Sequence, residues 1–191
     1  YSPAGVLAPI QRSDLAFTMH MLYHLSETGT CAIVEFPGVL YRGGAEKKIR
    51  EYLIKNNFVD TVIQLPANLF FGVGIATCII VIKKNKKDNN ILFVDASEEF
   101  VKKGDKNKLE DENQNRIVNA YQERKEEQYF TKLVSNDEVL SNGANLSVSS
   151  YVEKEDKREV IDIVALNEEI EALSKDVASK SLKLSEIIKE L

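Results

Sequence analysis

The chain has 191 residues, 43% hydrophobic and 29% charged, with a net charge of −5. This is the composition of a globular protein long enough for one domain with an appendage. It excludes a broadly basic nucleic-acid coat, though not a local basic face, and no apolar run has the length needed to span a membrane. The N-terminus lacks the basic-then-apolar pattern of a signal peptide. Cys31 and Cys78 both sit in apolar, strand-like runs. Two buried thiols in a cytoplasmic protein are therefore expected, rather than a disulfide or a metal pair. The first residue is Tyr1, not an initiator methionine, so a fragment is expected.

In chain order, "SDLAFTMHMLYHL" predicts a helix. Ser13 stands at the N-cap position, Leu15, Met19, Leu22 and Leu25 recur at helical spacing, and Gly29 marks the end. "CAIVEF" reads as a short buried strand closed by Pro37 and Gly38. A second helix is predicted over about 45–57, with Ile49, Leu53 and Ile54 as its apolar stripe. "FVDTVIQL", "TCIIVIKK" and "NILFVDAS" read as three strands, the first stopped by Pro66. Alternation followed by consecutive strands predicts the trailing half of a parallel α/β sheet that finishes in an antiparallel hairpin. Beyond Ser97 the composition becomes highly charged. A lysine-rich loop, an exposed helix over about 109–127 and an irregular stretch with a helical turn at 136–140 are expected there. The resulting organisation is 1–97, 98–159 as a connector, and a helical tail over 160–191.

Phe70, Gly72 and Gly74 outline an F-x-G-x-G pattern, and Asp95 closes a later strand-like run. A cofactor glycine loop follows a strand and opens a helix, so that backbone N–H groups at the helix N-terminus face the ligand. Here the next residues are "IATCIIVI", whose β-branched density favours a strand. The pattern is therefore read as a connection between two antiparallel strands. Gly72 and Gly74 are expected to take unusual backbone angles in it, with Phe70 and Phe71 packed as anchors. His20 and His24, four apart on one helix face, have no acidic or cysteine companion nearby; core-edge or surface histidines are expected rather than a metal site. "YRGG" at 41–44 lies between a strand and a helix. Arg42 and Gly43 there are candidates for contact with a ligand phosphate, the alternative being a plain turn with a solvated arginine. "KKNKKDNN" reads as a charged hairpin end in solvent, the alternative being lysines that bind phosphate without reading sequence.

The phrases "GVLAP", "SDLAFTMHMLYHLSETGTCAIV", "GVLYRGGAEKKIREYLI" and "VDTVIQLPANLFFGVGIATCIIVIKK" occur in that order. Together they resemble the modification subunit of type I restriction–modification systems, which are N6-adenine DNA methyltransferases. The later "NGANLSVSSYV" resembles that family's N-L-x-x-x-x-Y stretch. The resemblance implies a class I methyltransferase sheet, S-adenosylmethionine as the methyl donor of the full-length subunit, and DNA, a specificity subunit and a restriction subunit as partners. It also implies that the phosphate met by Arg42 and Gly43 is that of DNA. The family's cofactor loop and N-P-P-Y/F motif lie upstream of the matched region. Pro3, Pro9, Pro37 and Pro66 are never adjacent, so no N-P-P occurs. Tyr1 is read as lying in the loop that follows that motif rather than as its adenine-stacking residue, and Asp14 and Phe17 are ascribed to capping and core packing. The chain alone is accordingly expected neither to bind S-adenosylmethionine nor to methylate DNA. Two other functions stay open: an interaction module acting through its tail, and a nucleotide-binding domain using Gly72 and Gly74.

In the tail, Ile163, Leu166, Ile170, Leu173, Val177, Lys180, Leu184, Ile187 and Leu191 step by three and four. This is a coiled-coil seam interrupted only by Lys180. A helix with such a seam draws most of its stability from whatever covers it. Another chain is expected to do so, the alternative being the tail's own α/β domain. The resemblance implies the specificity subunit.

Overall fold

The computed structural model describes residues 2–155 and 162–190. Tyr1, Val160, Leu191 and the side chain of Ile187 lie outside the described set. The chain divides into two compact units, Tyr1–Lys154 and Glu155–Leu191. Among the described residues no helix is long and apolar enough to cross a membrane.

The first unit opens with helix α1 (Asp14–His24), strand β1 (Thr30–Glu35), helix α2 (Ala45–Lys55) and strands β2 (Val59–Gln64), β3 (Cys78–Lys83) and β4 (Asn90–Asp95). A small hairpin follows, β5 (Val101–Lys103) and β6 (Lys106–Lys108), and then helix α3 (Asp111–Glu123), strand β7 (Thr131–Ser135) and helix α4 (Asn136–Ser141). The main sheet has the order β1-β3-β2-β4-β7. β3 runs antiparallel to both β1 and β2, β4 is parallel to β2, and β7 is antiparallel to β4. β1, β2 and β4 therefore point the same way.

Two-residue alternation sorts the side chains onto two cores. Val62, Ile80, Ile82, Ile91 and Phe93 pack with Leu15, Met19 and Leu22 of α1 and with Ile49, Leu53 and Ile54 of α2. Ile63, Leu92 and Val94 point the other way and pack with Ile117 of α3 and Phe130. Burial on both faces is why β2, β3 and β4 read as near-continuous apolar runs.

Several expectations are corrected. β1 is half-exposed rather than buried, because it forms one margin of the sheet and pairs only with β3. α1 ends at His24, well before Gly29, and the Ser13 side chain makes no capping bond. Phe17 is exposed, so core packing does not explain it. "KKNKKDNN" is not a hairpin end, because the chain passes from β3 across β2 to reach β4. The stretch after Ser97 is not merely a connector. β7 completes the sheet, and Val134, Val139, Ala144, Leu146, Val148, Tyr151 and Val152 belong to the main core. Tyr151 stacks on Phe93 at 4.3 Å between ring centroids.

The "NGANL" stretch is clasped to the sheet unit by Arg50, which is 1% exposed. Its Nε donates to the Ala144 carbonyl at 2.8 Å and its Nη1 to the Val39 carbonyl at 2.9 Å. The Leu146 N–H donates to the Leu40 carbonyl at 2.9 Å alongside.

The second unit holds helix α5 (Ile163–Glu190). Asp162 caps it, its Oδ1 accepting from the backbone N–H groups of Val164 and Ala165 at 2.9 and 3.2 Å. Lys180 pairs with Asp176 one turn earlier at 2.7 Å. Ile163, Leu166, Ile170, Leu173, Val177 and Leu184 are all exposed.

Candidate functional site

The C-terminal ends of β1, β2 and β4 lie side by side, because Glu35 and Gln64 both face Cys78 and Gln64 also faces Asp95. Open α/β sheets bind ligands at this end of their parallel strands. Three connections meet here: 36–44 after β1, 65–77 after β2 and 96–110 after β4. They carry a set of exposed aromatic rings, Phe36, Tyr41, Phe70, Phe71 and Phe100, with Ile75 beside them. Phe71 is 96% exposed. The two phenylalanines therefore do not anchor the connection by packing, as the sequence led one to expect. Asn68, at φ 56, and Gly72, at φ 72, bend it in left-handed conformations that glycine and asparagine tolerate best. Gly74 is not among the residues with positive φ, so only one of the two expected glycines is needed for its backbone angle.

The connection is held from outside by the β5–β6 hairpin. The Asn107 backbone N–H donates to the Asn68 carbonyl at 3.1 Å, and its side-chain amide to the Ala67 carbonyl at 2.8 Å. The Lys106 ammonium reaches the Phe70 carbonyl at 3.3 Å.

Arg42 and Gly43 lie at the same end of the sheet. The Arg42 guanidinium folds back over Gly38, where a Cβ would come within 2.3 Å of it. It sits 3.5 Å from the buried Glu46 carboxylate, which Arg12 approaches to 4.0 Å. Arg42 is thus charge-paired within the chain, while the space around the Gly43 Cα is open.

Glu35, which sequence reasoning passed over, ends β1 at this edge and is 7% exposed. Burial pushes its carboxyl above the usual carboxylate range, opposed by the Thr18 hydroxyl, which donates to Oε1 at 3.0 Å. Cys78 lies beside it, fully buried, with its thiol pushed up to about 12 by burial. The only sequence signal for this cluster was an acid closing an apolar strand.

The glycine connection does not fit a cofactor phosphate or ribose. It joins antiparallel strands and opens no helix, and the Asp95 carboxylate accepts from the Ser97 N–H at 3.0 Å as a local turn. His20 and His24 pack edge to face at 4.5 Å. Among the described residues no group of three or more metal-ligating side chains occurs. The lysines of "KKNKKDNN" fall at the opposite end of the sheet, and three of them, Lys83, Lys84 and Lys86, are engaged within the chain. Lys84 pairs with Glu27 at 3.6 Å and Lys86 donates to the Val59 carbonyl at 2.8 Å. An open cleft of about 680 Å³ lies at that far end too, lined by Met19, Leu22, Tyr52 and Phe58, and shares no residue with the aromatic loops.

An antiparallel strand inserted between two parallel ones, with helices on both faces, defines the trailing half of a class I methyltransferase sheet, here followed by a C-terminal helix. The chain belongs to the N-6 DNA Methylase family, whose model matches residues 1–160. It is 44% identical over its whole length to the type I restriction enzyme MpnII methylase subunit of Mycoplasma pneumoniae, covering 35% of that protein. It is 34% identical to the MjaVII methylase subunit of Methanocaldococcus jannaschii, over 90% of this chain and 30% of the relative. The crystal structure of a type I restriction–modification methyltransferase subunit from Streptococcus thermophilus matches 80% of the chain with a TM-score of 0.78 and 43% identity, over 33% of that protein. The chain thus spans about a third of the length of the relatives it matches.

Proposed function

We propose that this chain is the C-terminal part of the DNA methyltransferase (modification) subunit of a type I restriction–modification system, which methylates adenine in DNA with S-adenosylmethionine as donor. In this reading the aromatic loops at the C-terminal end of the sheet form one wall of the pocket that receives the adenine. A base removed from the duplex loses its stacking partners, and an exposed aromatic face replaces them. The near-complete exposure of Phe71 on a connection pinned from outside by Asn107 carries the proposal. Arg42 and Gly43 contact the DNA backbone beside it. The methyl donor is held by residues outside this chain, so the chain alone is inactive. The exposed seam from Ile163 to Leu184 on α5, continued in the sequence by Ile187 and Leu191, is covered by the specificity subunit, and the restriction subunit is a further partner in the full complex.

The test joins this chain to the upstream two-thirds of such a relative and follows labelled methyl transfer to adenine. Stacking on one aromatic ring contributes about 1–3 kcal/mol, so Phe71→Ala should lower kcat/KM by roughly tenfold with the fold intact. Transfer by the joined protein that is indifferent to Phe71→Ala removes that ring from the pocket. Micromolar S-adenosylmethionine affinity in this chain alone would contradict the assignment of the donor to other residues.

A further inference from the structure

Within the 96–110 connection, beside the aromatic rings, the β5–β6 hairpin is rich in positive charge. Val101–Lys108 carries four lysines and one aspartate, in a chain whose net charge is −5. The register sets Lys103 directly across from Lys106, and Lys108 across from Val101. Alternation therefore places Lys103, Lys106 and Lys108 on one face of a two-stranded ribbon. Like charges directly opposite in a sheet oppose folding. A two-stranded hairpin is marginal even without that cost.

The neighbouring acids relieve the repulsion only in part. Glu110 pairs with Lys103 at 2.7 Å, and Asp105 sits at the tip of the turn beside Gly104, at φ 61. Lys102 makes no ion pair among the described residues and is exposed. The hairpin is nonetheless positioned, since Asn107 and Lys106 fasten it to the carbonyls of Ala67, Asn68 and Phe70. A charged ribbon held against the loop that presents Phe71 is placed to grip a polyanion whose base that loop receives. We propose that Lys103 and Lys108, with Lys102 on the opposite face of the ribbon beside Asn107, grip the DNA phosphate backbone from the two sides of the hairpin. The proposal rests on the reading of the aromatic loops as a DNA site. It adds a sequence-independent grip, since lysine binds phosphate as a point charge and reads no base.

The test is the salt dependence of duplex binding. Fluorescence anisotropy with a labelled duplex of about 30 base pairs, between about 50 and 200 mM salt, gives the slope of log K against log salt, near −0.9 per phosphate neutralised. The chain carrying Lys102→Gln, Lys103→Gln and Lys108→Gln should bind with a slope shallower by about 2 to 3. Lys106 is kept because it holds the Phe70 carbonyl. Lys47→Gln with Lys55→Gln, on α2, removes charge away from the hairpin and should leave the slope unchanged. An equal effect of this control, or no change in the triple variant while the wild type binds DNA, overturns the grip and leaves the DNA site standing. Absence of duplex binding by the wild type overturns both. Retained circular dichroism and unfolding midpoint in the triple variant exclude loss of fold as the cause.

Discussion

Replacing Arg50 by methionine removes the clasp while keeping an unbranched apolar stem in the same space. Two carbonyls, those of Val39 and Ala144, lose donors at 2.9 and 2.8 Å in a place where the side chain that served them is 1% exposed. Burial lowers the Arg50 pKa to about 10, so the guanidinium is charged at neutral pH and both bonds are charge-assisted. A buried acceptor left without its partner costs about 1–3 kcal/mol. Two of them give about 2–6 kcal/mol, reduced because the variant no longer carries a buried charge to desolvate. A net loss of about 2–4 kcal/mol is expected for Arg50→Met. Urea unfolding followed by far-UV circular dichroism should show it as a midpoint lower by about 1–2 M at a typical slope for a domain of this size. Arg50→Lys keeps the charge but reaches one carbonyl, since an ammonium lacks the planar fork, and should fall between the two. A midpoint unchanged in Arg50→Met would refute the reasoning, because it would mean that water serves both carbonyls and that the "NGANL" stretch is held without Arg50.

Lys86 is half-buried, and burial lowers its pKa to about 8 from the usual 10.5. Below pH 8 it is charged in both states and the folded state bears the desolvation cost. Between about 8 and 10.5 the folded state releases the proton while the unfolded state keeps it, so unfolding free energy rises with pH over that window. The stability of the wild type relative to Lys86→Gln should therefore increase over that range, and a constant difference would show an ordinary ammonium. On α5, Leu173→Asp with Leu184→Asp places carboxylates on the exposed seam. It should abolish co-purification with the specificity subunit while the unfolding transition of the first unit stays unchanged. Retained capture by a folded double variant would move the interface elsewhere.

Much of the architecture is determined by local pattern. Helical spacing in Leu15, Met19 and Leu22, and again in Ile49, Leu53 and Ile54, identifies α1 and α2 because one-sided burial leaves a period that no partner is needed to see. β-Branched density makes 78–83 a strand and so removes the cofactor reading of Gly72 and Gly74. The α5 seam is legible for the same reason, being a repeat along a single element. Tertiary structure decides what depends on partners distant in the chain. β7 reads as irregular from "TKLVS", and pairing with β4 makes it a strand. The insertion of β3 between β1 and β2 is a choice of neighbour that no window of sequence contains. Phe70 and Phe71 look in sequence like any buried aromatic pair, and Arg50 like any exposed helix arginine. Which of them meets solvent follows from the packing around each, because hydrophobicity sets the tendency to bury and only the surrounding surfaces determine whether there is a core to enter.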